Sequence, residues 1–273
     1  MQKIDRLGWT DGMSIVSYGV RVGIRVNDAG AMERVRKLLP PSWKPSQTPV
    51  VENLFSLFIG GAGARAGVRR YSLLYNGLDR LVRSFNEEEI YTTFESNLRL
   101  TVAAEARRRL FVHAGVVGWK GQAIIIPGSS FSGKTTLVAE LVRAGATYYS
   151  DEYAVLDEQG RVHPFLKPLS IRKEGRVEQT EYTVEALGGT AGKKPLPVGL
   201  VLISNYRAGA RWRPRKLSAG QGALEILAHT ISARRKPGVA LSTLHRVASG
   251  ADVLKSKRGE ARQVVDIILK ELS

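Results

Sequence analysis

The sequence predicts an α/β fold: a phosphate-loop domain over residues 105–273, preceded by a smaller α+β domain over residues 1–104. Three observations carry the prediction. The buried-strand run Ala123-Ile124-Ile125-Ile126-Pro127 leads into Gly128-Ser129-Ser130-Phe131-Ser132-Gly133-Lys134-Thr135 and then a helical run from Thr136 to Arg143. A strand, GxxxxGK[ST] and a helix in that order form the setting that a phosphate-binding loop needs. Further on, strand and helix patterns alternate as in an α/β domain. The length of 273 residues suits one large domain or two smaller ones, at roughly 100–200 residues each.

From the start of the chain, Ile15, Tyr18, Val20, Val22, Ile24 and Val26 recur largely at period two, which predicts a strand or hairpin over Ser14 to Val26. Asn27-Asp28 offers a cap for a helix from Ala29 to Leu39, which Pro40-Pro41 ends because proline lacks the donor and restricts its predecessor. Val50 to Ile59 and Tyr71 to Tyr75 read as strands on either side of a Gly60-Gly61-Ala62-Gly63 loop, and Leu81 to Phe85 completes a small sheet. Asn86 caps a long predicted helix from Glu87 to Leu110. Its acids Glu87, Glu88 and Glu89 fall in the first turn and Arg107, Arg108 and Arg109 in the last, an order that complements the helix dipole. The domain boundary is placed beside this helix.

The phosphate loop carries the chemistry. Glycines at both ends let consecutive backbone N–H groups curl around an anion, to which the following helix presents its positive end. Lys134 then reaches the β and γ phosphates of a nucleoside triphosphate, and the Thr135 hydroxyl is placed to ligate the bridging magnesium ion. Residues Gly128 to Thr136 are therefore the expected ATP-binding set. A chance match is on the order of one in a hundred for a chain of this length.

A phosphate-loop hydrolase carries a second magnesium carboxylate at the end of a later apolar strand. The best such strand here, Gly199-Leu200-Val201-Leu202-Ile203, runs into Ser204-Asn205. The acids stand elsewhere, at Ser150-Asp151-Glu152, in the short strand expected after the phosphate-loop helix.

With those residues in hand, the segment from His113 to Glu152 resembles the catalytic domain of HPr kinase/phosphorylase, a bacterial serine kinase family whose phosphate loop is related to that of phosphoenolpyruvate carboxykinase. His113-Ala114, Gly128 to Thr135 and Asp151-Glu152 match in order and spacing, and Pro164 to Arg172 matches weakly. The departures are Glu152 for the family's second aspartate, Ser170 at an acidic position two before Arg172, and Val239 after Pro237-Gly238 where the family has an arginine. The first 100 residues do not look like the family's usual regulatory domain.

The resemblance implies a kinase domain of the HPr kinase/phosphoenolpyruvate carboxykinase type that uses ATP and Mg2+. It implies that Asp151 takes the proton from an acceptor hydroxyl while Glu152 helps to hold magnesium, or the two with roles exchanged. His113 contacts phosphate, orients Asp151 or is a core histidine, and Lys167 and Arg172 are candidates for neutralising the transferred phosphate. The expected acceptor is a serine of a peptide or protein. A small-molecule kinase and a nucleotide sensor or ATPase stimulated by a polyanion are the alternatives.

Composition bounds the rest. Hydrophobic residues at 43% and charged residues at 24% exclude a disordered, collagenous or coiled-coil chain. With no cysteine, a disulfide scaffold, a thiolate nucleophile and Cys-ligated metal are excluded. Lys plus Arg at 41 against Asp plus Glu at 25 gives +16, an excess that attracts polyanions. The basic residues fall in short groups, among them Arg211 to Lys216, Arg234-Arg235-Lys236 and Lys255 to Arg258, with no helix-turn-helix or finger pattern, so nucleic acid stays a secondary expectation. No apolar run approaches the roughly 18 residues of a membrane span, and the start does not read as a signal peptide. A cytoplasmic protein is expected, with a homo-oligomer left open.

Overall fold

The computed structural model describes residues 3–61, 70–172 and 179–272. The chain divides into two compact units, Met1–Arg107 and Arg108–Ser273.

The first unit contains β1 (Asp11–Ser17), β2 (Val20–Val26), α1 (Ala29–Lys37), β3 (Lys44–Pro45), β4 (Asn53–Phe58), β5 (Ser72–Asn76), β6 (Asp79–Ser84) and α2 (Glu87–Glu105). Its strands form one sheet in the order β3-β1-β2-β4-β5-β6. The period-two pattern becomes the β1–β2 hairpin, turned at Tyr18 and Gly19, both with positive φ. Val20, Val22, Ile24 and Val26 all point to one face, where they pack with Met32 and Val35 of α1 and Ile90, Phe94 and Leu98 of α2. Asp28 and Asn86 cap the two helices through their side chains, which satisfies donors that no helical carbonyl can reach.

Helix α2 stops five residues short of the expected Leu110. Ala106 leaves the helical region at φ −44 and ψ 133, and Arg108 has φ 57. The chain must straighten here because Leu110, Phe111 and Val112 are buried in the first strand of the second unit. Arg107, Arg108 and Arg109 therefore lie beyond the helix, and its last turn holds no basic residue. Of the glycine-rich loop, Ala62 and Gly63 lie outside the described residues.

The second unit contains β7 (Leu110–Trp119), β8 (Gln122–Pro127), α3 (Lys134–Arg143), β9 (Thr147–Ser150), β10 (Tyr153–Leu156), β11 (Val162–His163), β12 (Leu169–Arg172), β13 (Gln179–Tyr182), β14 (Val198–Tyr206), β15 (Arg215–Lys216), α4 (Ala219–Leu227), α5 (Pro237–Gly250), β16 (Asp252–Arg258) and α6 (Ala261–Lys270). The main sheet runs β11-β10-β7-β8-β14-β16-β15, with β9 also on β7, and β12 and β13 form a small separate sheet. Strands β8, β14 and β16 are parallel.

Alternation along the strands makes three layers. Val112, Ala114, Ile125 and Val201 face Ile226 of α4 and Leu244 of α5. Ile124, Ile126, Leu200 and Leu202 face Leu137 and Leu141 of α3 and Val264 and Ile268 of α6. The unit is thus a mixed α/β sandwich; in open α/β sheets generally, ligands bind in the crevice beyond the carboxyl ends of the strands. Among the described residues, no helix is long and apolar enough to cross a membrane.

Candidate phosphate-binding site

The site is organised around one position of β7. On one side of that strand, β8 pairs as far as Ala114↔Pro127, after which the chain leaves as the phosphate loop, and residues 229–231 take its place beside Phe111, Val112 and His113. On the other side, β9 pairs up to Val116↔Ser150 and β10 resumes at Tyr153↔His113. Asp151 and Glu152 occupy the bend between β9 and β10 and are not strand residues as the sequence suggests. Two interruptions therefore adjoin on β7: the loop is released just past Ala114 on one side, and the acids are released opposite Ala114 and Gly115 on the other. Backbone bonds fix both: Gly128 N–H to His113 O at 3.2 Å, and Ala114 N–H to Glu152 O at 3.1 Å.

Gly128 is buried while Ser129 and Ser130 are exposed. Phe131 has φ 68 and Gly133 φ 84, and left-handed residues of this kind let successive N–H groups face one side. Phe131, which takes that conformation against the steric preference of its side chain, is 82% exposed at the tip. Gly133 is the N-cap of α3 and supplies no side-chain bond, so the first N–H groups of the helix remain free for a ligand. The absent Cβ of Gly128 matters as well. A Cβ there would lie 2.6 Å from Ser132 Oγ and 3.4 Å from Lys134 Cδ, closing the cradle. Ser132 Oγ is itself buried without a hydrogen-bond partner.

Lys134 is a buried lysine. It is the first residue of α3, only 6% exposed, and its Nζ donates to Ser129 O at 2.7 Å. Burial lowers its pKa to about 8, against the upward pull of the Asp151 charge. Asp151 is also buried, and burial raises its pKa, opposed by Lys167, by the Tyr148 hydroxyl and by a backbone bond from Ser170. The Tyr148 hydroxyl lies 3.2 Å from Asp151 Oδ1 and 2.9 Å from Lys167 O. Glu152 Oε2 lies 3.2 Å from Lys167 Nζ.

His113 is held neutral. Burial and then the Lys134 charge lower its pKa to about 4, with Glu152 opposing and His229 adding to the effect. Among the described residues its ring makes no hydrogen bond to Asp151; its backbone, bonded to His229 O and to Gly128 N, ties the loop to the sheet. Thr135 is half-buried and Thr136 exposed in the first turn of α3. Arg172 ends β12, and its side chain lies outside the described residues.

Three participants escape the sequence reading. His229, half-buried after α4, shares the electrostatic field of His113 and Lys134. Tyr148 sits three residues before Asp151, where its aromatic character reads simply as core. Arg258 reads as part of a scattered basic group, yet it is 2% exposed, and its Nη2 donates to Gly133 O at 2.6 Å and its Nη1 to Gly259 O at 3.0 Å.

The donors fit magnesium held through phosphate. Thr135, Asp151 and Glu152 would supply hard oxygen donors, while no group of three or more His, Asp or Glu side chains among the described residues could hold a metal by itself. Magnesium is commonly bound in this way, by one or two carboxylates together with substrate phosphates. The chain matches no protein-family model and no curated protein.

Proposed function

We propose that this chain is an ATP-dependent phosphotransferase of the HPr serine kinase type, moving the γ-phosphate to a hydroxyl, with serine of a peptide or protein as the acceptor. The observation that carries the reading is the pairing of the two breaks beside β7: a buried lysine in a phosphate loop on one side and a buried carboxylate on the other. A nucleotide loop with no acid beside it would suit binding alone; an acid within the electrostatic reach of that lysine suits transfer to an alcohol.

In this reading the loop N–H groups, the first turn of α3 and Lys134 hold the phosphates. Asp151 accepts the acceptor's hydroxyl proton, that oxygen bonds to the γ-phosphorus, and the bond to the β–γ bridging oxygen breaks to release ADP. Burial raises the pKa of Asp151 and so makes its carboxylate a stronger base. Tyr148 and the Ser170 N–H orient that carboxylate. Thr135 and Glu152 would hold Mg2+, which neutralises charge on the phosphates, and Lys167 positions Glu152.

The test is incubation with ATP labelled at the γ-phosphate and a cell lysate. Label on a protein or peptide, lost in Asp151→Asn, is the expected result. Label released only as inorganic phosphate would replace this reading with an ATPase, and nucleotide binding without turnover would replace it with a sensor.

A further inference from the structure

Beyond the mouth of the phosphate loop runs a strip of cations that the phosphate chemistry does not use. Strand β14 ends at Tyr206, whose N–H donates to Ser132 O at 3.3 Å, and Arg207 N–H then donates to Arg258 O at 2.9 Å. The chain next turns back along β16: Ala210 O packs over Gly259, Arg213 N–H bonds Ser256 Oγ at 3.0 Å, and Arg215 pairs with Lys255 in β15. Arg207, Arg211, Arg213, Arg215 and Lys257 are all exposed along this path. Among the described residues none of the five has an acidic partner. The neighbouring acids are engaged: Glu260 with the Tyr206 hydroxyl, Glu225 with Lys255 and Asp252 with Lys216.

The strip is a built surface. Trp212 packs against the cluster between the sheet and α3 and α6, which pins the loop at its centre, and its chain neighbours Arg211 and Arg213 are exposed. Like charges held side by side on a fixed backbone repel one another, and an anionic ligand relieves that cost. Between Arg207 and Arg215 the one aromatic ring, Trp212, packs against the core, and the exposed rings Tyr206 and Phe131 stand only at the loop end, so the strip offers no succession of stacking faces of the kind that single-stranded nucleic acid uses. An extended peptide with carboxylates fits better.

We propose that the strip from Arg207 to Arg215, with Lys257, docks an acidic segment of the acceptor and so delivers its hydroxyl to the phosphate loop. This inference rests on the phosphotransferase reading for the purpose of docking, but not for the binding itself. The charges begin within one residue of a loop contact and lead away to the sheet edge, so the acids belong on one flank of the acceptor serine.

Fluorescent serine peptides flanked on either side by glutamates, and the same peptides with glutamines, are titrated into the full chain and followed by anisotropy. One acidic peptide is expected to bind about tenfold or more tighter than its glutamine twin, and to weaken as salt rises from about 50 to about 300 mM. Arg211→Glu with Arg213→Glu should remove that preference and leave pyrophosphate binding unchanged; the pair Arg211→Gln with Arg213→Gln should show a smaller loss.

Equal affinity for both peptides, or an unaltered preference in the double variant, overturns the proposal. So does a single-stranded oligonucleotide that binds more tightly than the acidic peptides and is lost in the double variant, since the strip would then belong to nucleic acid. Peptide binding through the strip without label transfer would overturn the phosphotransferase reading alone. Equal transfer to acidic and neutral peptides would overturn the docking role alone.

Discussion

Arg258 Nη2 and the carbonyl of Gly133 lie 2.6 Å apart, so a buried guanidinium at the end of β16 holds the last residue of the phosphate loop from behind. Its other terminal nitrogen bonds Gly259 O, and a Cβ on Gly133 would stand 2.5 Å from Nη2, so the contact requires glycine there. A carbonyl drawn toward Arg258 is one that does not face a phosphate. Arg258→Met should therefore weaken pyrophosphate binding about tenfold or more, because a charge-assisted bond is lost and the carbonyl keeps only the helical bond from Leu137 N–H. Arg258→Lys restores charge but not the fork, and should recover only part of the affinity. Titration calorimetry at matched thermal stability checks this; affinity equal to the parent in Arg258→Met would assign the residue to packing alone.

The buried cations make the site sensitive to pH in opposite senses. With Lys134 near pKa 8, phosphate affinity should fall as pH rises through about 8, where the ammonium is lost. Stability of the ligand-free protein should move the other way. Between about 8 and the ordinary lysine value of 10.5 the unfolded chain binds more protons, so stability rises with pH across that window. Lys134→Met should accordingly stabilise the ligand-free fold, by roughly 2 kcal/mol at neutral pH, while abolishing phosphate binding. His113 gives the acid limb: its folded pKa of about 4 lies below the ordinary 6.5, so stability is lost as pH falls from 6.5 toward 4. Denaturant midpoints against pH for parent, Lys134→Met and His113→Gln separate the two limbs. A Lys134→Met midpoint below that of the parent would contradict the burial cost.

What the sequence made legible was periodic or local. The alternation of Val20, Val22, Ile24 and Val26 shows in any register, and Asp28 and Asn86 cap within three residues of themselves. The loop reads directly because its glycines, lysine and threonine are contiguous. Arg258 does not read at all, since its partner Gly133 lies 125 positions away and a buried arginine looks like a surface one in one dimension. Lys134 reads as part of a phosphate-loop motif, but its burial does not read, because it lies against Gly115 of β7, which the motif does not contain. The end of α2 failed for a related reason: the Arg107 to Arg109 run suits a helix terminus, but tertiary demand for Leu110 in the sheet decides the boundary.

If Asp151 is the base, binding and transfer should separate. Asp151→Asn keeps the shape and the Tyr148 contact but cannot accept a proton, so phosphoryl transfer should drop by roughly a hundredfold or more with nucleotide affinity nearly unchanged. Tyr148→Phe removes one orienting hydroxyl, and should lower turnover less than Asp151→Asn does while shifting the acid limb of its pH profile upward, since that hydrogen bond opposes the rise in the pKa of Asp151. Single-turnover rates with labelled ATP and a serine peptide measure both. Unchanged turnover in Asp151→Asn would remove Asp151 from the chemistry.

The last prediction concerns what holds the loop's helix against the sheet. Gly115, opposite the break that releases Asp151, has no room for a side chain: a Cβ would lie 2.5 Å from Val138 Cγ2 of α3. Because α3 begins at Lys134, any push on Val138 is also a push on the lysine and on the end of the phosphate loop. Gly115→Ala should destabilise the protein by about 1–3 kcal/mol through overpacking, and should weaken phosphate binding although no ligand-facing atom has changed. Val138→Ala alone leaves a cavity and costs stability for the opposite reason. Combined, the two changes add one methyl and remove two across one interface, so the clash at Val138 Cγ2 is gone, and the double variant should be more stable than additivity predicts and should recover phosphate affinity. Denaturant melts and calorimetry on the four proteins complete the cycle, and strict additivity would show that β7 and α3 are not coupled through this contact.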